Sequence, residues 1–170
     1  MTGHIRSTLS FRAVNRPGDA AYDAGLQRHH ILPRQLLRRR SLAAMLEALG
    51  AERTGFHDFR RNGMLLPASR VAARRIGLPL HRGPHRHYNE MVIERVGRIE
   101  AAWSARRGRA ASLADTDALA RLDLLQRALR RLLLDPRRIG ALPLNRHDPA
   151  LDFSHLDRMA DALWGATQWG

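Results

Sequence analysis

LQRHHILP, residues 26–33, places two adjacent histidines in a short apolar run that closes on a proline. Side chains alternate across a strand, so in an extended run His29 and His30 face opposite sides. One ring can then hold a cation while the other moves protons, or one packs while the other is solvated. Ile31 and Leu32 favour a short strand, and Pro33, with no N–H for a ladder, stops it.

A second strand is expected in DFRRNGMLLP, residues 58–67. Asn62-Gly63 is a strong turn signal, and Met64, Leu65 and Leu66 follow as an apolar run ended by Pro67. The remaining periodicity is helical. In residues 34–51, Leu42, Met45, Leu46 and Leu49 predict a helix or two short ones, with Gly50 suited to the C-terminal cap. Tyr88, Val92, Val96, Ile99 and Trp103 recur at steps of four and three, and Pro84 fits the first turn of that helix. Ala118, Leu122, Leu125, Leu129 and Leu132 predict a further helix from about Thr116 to Leu134, stopped by Pro136, and a short helix is expected after Ser154. The fold class is therefore mainly α with a small antiparallel β-hairpin. Residues 1–25, in which NRPGDAAYDAG reads as turns, form an arm against the domain.

A chain of 170 residues is long enough for one domain burying roughly 70% of its unfolded surface, with no need of a stabilising crosslink. Lys plus Arg number 29 against 16 Asp plus Glu, a formal charge of +13 that implies a polyanionic partner, nucleic acid before any other. Arginine carries that charge, and its guanidinium forks onto phosphate oxygens and stacks on bases. Cysteine is absent, which excludes disulfides, zinc fingers and thiol catalysis and leaves His, Asn, Asp and Glu for any metal site. No window approaches 18 apolar residues, and MTGHIRSTLSFRAV lacks a basic-then-apolar leader. The expectation is a soluble chain, without a membrane partner, that acts in the cytoplasm or is delivered into a target cell without a signal peptide of its own.

Residues capable of chemistry collect at His29 and His30, at Asn62, and in HRGPHRHYN, residues 81–89. His81 and His85 are four apart and on a helix share a face, a common way for two imidazoles to reach one divalent cation. Gly83 and Pro84 lie between them; if His81 precedes the helix, the four-apart pair becomes His85 and Asn89. One strand histidine then supplies a further ligand and the other is free to act. A neutral imidazole can take a proton from water, a cation offsets charge developing on a phosphate, and an amide near Asn62 can orient the base. Arg28, Arg86 and His87 adjoin these positions as candidate substrate contacts, with His87 turned away from His85. His4, His57, His147 and His155 read as structural or exposed.

The histidine pair, NGMLLP and HRGPHRHYN occur in the order that resembles the AHH family of HNH (ββα-metal) nucleases, over about residues 26–100. Arg28 stands where the family has its alanine. The resemblance implies a ββα-metal core, two short antiparallel strands and a helix clamping one divalent cation (Mg²⁺, Mn²⁺, Ni²⁺ or Zn²⁺), embedded in a helical domain. It implies hydrolysis of nucleic-acid phosphodiesters, DNA foremost and with low sequence specificity. By position it makes His29 a metal ligand, His30 the general base, Asn62 its orienting residue and His85 a ligand from the helix, with His81 or Asn89 completing the set. Such nucleases are often toxic ends of bacterial polymorphic toxins or effectors, silenced by an immunity protein, here expected to be acidic. The expected division is an arm at 1–25, a nuclease core at 26–107 and a helical extension at 108–170 packed on it. Competing expectations are a non-enzymatic Arg-rich DNA-binding regulator and a ribonuclease using the same site.

Overall fold

Strand β1 (Leu26–His30) pairs antiparallel with β2 (Gly63–Pro67), in a register that sets His29 opposite Met64 and His30 opposite Gly63. The computed structural model describes residues 7–81 and 85–135, and in them this pair is the sheet around which the helices gather. The tail helix expected after Ser154, His4, His147 and His155, Pro84 and Pro136 lie outside the described residues.

β1 ends at His30, two residues before the expected stop. Ile31 still donates to the Asn62 carbonyl at 2.8 Å, but the Leu32 N–H is taken by the Asn62 side-chain oxygen at 2.6 Å, so a side chain replaces the ladder. Asn62-Gly63 is not the tip of a tight turn either. Residues 31–62 run as a long helical connection, and Asn62 closes the single turn α3 (Phe59–Asn62), which Asp58 caps by accepting the Arg60 N–H.

Gly63, with φ −119°, has an ordinary extended backbone, so its lack of a side chain serves another end. A Cβ there would sit 2.2 Å from the Phe59 ring. Gly63→Ala is expected to cost about 1–3 kcal/mol through overpacking, read as a lower urea midpoint at constant m. An unmoved midpoint would mean that the phenyl has room to yield.

The connection holds a 3₁₀ turn (Arg34–Arg38), α1 (Arg40–Leu49) and α2 (Ala51–Thr54). Leu42, Met45, Leu46 and Leu49 are buried, as their spacing predicts, and Gly50 at φ 89° ends α1. After β2 comes α4 (Arg70–Ile76), a helix not among those expected from the sequence. Its seven residues are too few to show an apolar stripe, but its ends were written: Ser69 accepts the Ala72 N–H at 3.1 Å and Gly77 closes it at φ 64°.

Helix α5 (Arg86–Arg107) and α6 (Ala111–Leu133) fold back on each other across a three-residue link. The Trp103 indole N–H donates to Asp115 at 2.7 Å beside that link, and Arg107 covers the same indole at 4.5 Å. α6 begins five residues before Thr116 because Ala114 extends its buried stripe by a turn. At its other end Arg130 donates to the carbonyls of Arg60, Arg61 and Gly63 at 2.9, 3.3 and 2.8 Å, groups that a helix C-terminus leaves unpaired. Helix α6 thus fixes the start of β2, directly opposite His30.

Residues 7–25 lie on the outside of this assembly. The Phe59 N–H donates to the Leu9 carbonyl at 2.7 Å, and Asn15 ties its own turn to Asp23 and Leu26. No helix among the described residues is long and apolar enough to cross a membrane.

Candidate active site

The two faces of β1 carry different surroundings. His29 points inward and is 4% exposed, with Tyr88 against it at 5.1 Å between ring centroids. His81 follows β2 and is tied to it, its N–H donating to the Pro67 carbonyl at 2.7 Å. His81 therefore precedes α5, and His85 is the residue from which that helix starts, its carbonyl accepting the Asn89 N–H at 2.9 Å. Nitrogens of His29, His81 and His85 all lie within 4.8 Å of one another. The structure brings three of the sequence-predicted ligands into one cluster; Asn89 sits half-buried in the first turn of α5.

The cluster fits a metal ion on one observation above all. The His29 Nε2 is buried without a hydrogen-bond partner among the described residues, a costly arrangement unless its lone pair is used. Burial lowers the His29 pKa well below the ordinary 6.5, and the positive ends of His81, His85 and His30 lower it further. Burial, then His85, brings His81 down to about 4. Both rings are thus neutral at pH 7, as metal ligation requires.

His81 Nδ1 lies 3.1 Å from the Gln27 side-chain oxygen. With Nδ1–H donating, the ring presents Nε2 as its lone pair. Gln27 was missed in the sequence, although its i, i+2 relation to His29 puts both on one face of the strand.

On the outer face, the His30 imidazole stacks on Phe11 with centroids 3.7 Å apart and planes 2° from parallel. Arg28, on the same face, donates to the Phe11 carbonyl at 3.0 Å. Burial first, then the charges of Arg34, His57 and Arg28, bring the His30 pKa to about 4.

Asn62 does not reach that ring. Its amide donates to the carbonyls of Leu32 at 3.2 Å and Phe56 at 2.9 Å while its oxygen accepts from Leu32, and Tyr88 donates to the Ile31 carbonyl at 2.7 Å. Both grip the chain just beyond the histidine pair. Of the candidate substrate contacts, Arg28 and Arg86 are exposed and His87 lies 4.0 Å from Glu90.

Because folding holds His30 and His81 neutral down to about pH 4, the unfolded chain binds protons below 6.5 that the folded chain refuses. Their contribution to stability is complete above pH 6.5 and is lost as the pH falls toward 4. Metal-free protein is expected to melt about 5 °C or more lower at pH 5 than at pH 7.5, and Zn²⁺ to widen that gap, since protons compete for the same nitrogens. Equal melting temperatures at the two pH values in a fluorimetric melt would contradict this.

The three-imidazole cluster at the junction of a strand pair and a helix could hold a metal ion, and residues 10–129 match the model of a nuclease family within the HNH/ENDO VII superfamily. That family is AHH, described by its conserved Ala-His-His, and the chain belongs to it, with Arg28 in the alanine's place. Its substrate class is accordingly nucleic acid. No curated protein and no solved structure matches.

Proposed function

We propose that the protein is an endonuclease that hydrolyses DNA phosphodiesters with little sequence preference, with His29, His81 and His85 as ligands of one divalent ion and His30 as the general base. The observation that carries this reading is the separation across one strand. Three imidazoles converge on the inner face, one of them with an orphaned buried nitrogen, while a fourth stands on the outer face. An ion bound there supplies Lewis-acid stabilisation of charge on the phosphate and on the leaving oxygen. Three imidazole donors favour Zn²⁺ or Ni²⁺ over Mn²⁺ and Mg²⁺, which prefer oxygen. His81 is the better third ligand than Asn89, because it is already in the cluster.

The chain's own groups do the rest. His30, neutral at pH 7, takes a proton from the attacking water. A phosphate beside Arg28 and Arg34 cancels charges that depress this ring, bringing it nearer the pH at which a base works best. Asn62 positions the ring through the Leu32 backbone, and Arg86 and His87 extend the substrate contact along the start of α5. The formal charge of +13 suits both the polyanion and, for a toxin or effector delivered into a target cell, an acidic immunity protein as the silencing partner.

Supercoiled plasmid, single-stranded DNA and RNA incubated side by side with Zn²⁺, Ni²⁺, Mn²⁺ or Mg²⁺, with EDTA as control, test the proposal. Nicking and linearisation that EDTA abolishes are expected. Preferential loss of RNA would make the enzyme a ribonuclease, and plasmid shifted but uncut under every metal would leave an Arg-rich DNA-binding regulator.

A further inference from the structure

Phe11 lies flat on the His30 ring, yet aromatic pairs left to themselves prefer offset or edge-on arrangements. The overlap is imposed by what holds the arm. Arg28 grips the Phe11 carbonyl at 3.0 Å, and Leu9 is tied at both ends, its N–H to Asp58 at 3.3 Å and its carbonyl to the Phe59 N–H at 2.7 Å. The Phe59 ring backs Phe11 edge-on at 5.1 Å and 77°. Phe59 can sit there only because Gly63, opposite His30 in the sheet, has no Cβ.

A general base must aim one nitrogen along one line, and an imidazole turns about its side-chain bonds unless something fixes its plane. The Asn62 amide is spent on backbone groups of Leu32 and Phe56. We infer that Phe11 is a positioning residue of the active site: the arm lays a phenyl face on the His30 imidazole and sets the plane in which that ring meets water. This role rests on His30 being the base.

The test uses full-length Phe11→Ala, Phe11→Leu, Phe11→Tyr and His30→Ala proteins on plasmid DNA. Phe11→Ala and Phe11→Leu are expected to lower kcat about 10-fold or more, short of full loss of the base, while KM and calorimetric Zn²⁺ affinity stay within about twofold. Phe11→Tyr, which keeps the flat face, restores the rate. In proton NMR the His30 ring signals, shifted upfield by the stacked phenyl, move toward ordinary positions in Phe11→Leu and not in Phe11→Tyr. Should Phe11→Ala fail to fold, Phe11→Leu decides. A folded Phe11→Leu enzyme with wild-type kcat, or one altered only in KM, overturns the inference. Wild-type cutting by His30→Ala overturns the base assignment itself; an inactive His30→Ala beside a fully active Phe11→Leu removes the positioning role alone.

Discussion

His30→Ala is expected to lower kcat on plasmid DNA by about 10²- to 10⁴-fold, the usual worth of a general base. The ring lies outside the cluster formed by His29, His81 and His85, so Zn²⁺ affinity measured by calorimetry should stay close to that of the wild type. It is half-buried and stacked on Phe11 rather than packed in the core, so the loss of stability should be small beside the loss of rate. This pairing of intact metal binding with vanished turnover separates the base from a ligand. A His30→Ala protein that cuts within threefold of the wild-type rate would place the base elsewhere.

Asn62→Ala is expected to destabilise the protein by about 3–5 kcal/mol, the largest single-residue effect anticipated here. Asn62 is fully buried, and its side chain satisfies the Leu32 N–H, the Leu32 carbonyl and the Phe56 carbonyl at once. Removing it strands three main-chain groups away from water, each at roughly 1–3 kcal/mol before relaxation. Asn62→Asp keeps the shape but turns an oxygen toward both carbonyls, so it should be no better tolerated. Urea denaturation at pH 7.5 measures both. A midpoint shift worth under about 1 kcal/mol would mean that water enters and replaces the amide.

The strand pair and the two long helices were legible because their signals are local: short apolar runs ended by proline for the strands, although Ile31 and Leu32 fall just past β1, and steps of three and four for Val92, Val96, Leu122 and Leu129. Asn62 was read as a turn residue because Asn-Gly is a turn pair in most settings. Its real partner, Leu32, is 30 positions away, and no local pattern announces a side chain bridging that distance. The histidines at 29, 81 and 85 were legible as a candidate ligand set from residue type and order, but whether His81 or Asn89 stood with the others depended on where α5 begins. Gln27 was recoverable from strand alternation alone. Phe11 was not, since its place on His30 depends on Leu9, whose N–H donates to Asp58 and whose carbonyl accepts the Phe59 N–H, far along the chain.

The period of two along β1 makes alignment with β2 a chemical variable as well as a structural one. Sliding either strand by one position would turn His29 outward and His30 inward, exchanging their surroundings while every side chain remained in the protein. Deletions or insertions of a single residue between Leu26 and His30 should therefore be far more damaging than most substitutions there, and the enzyme's tolerance of length change should be lowest in this five-residue strand.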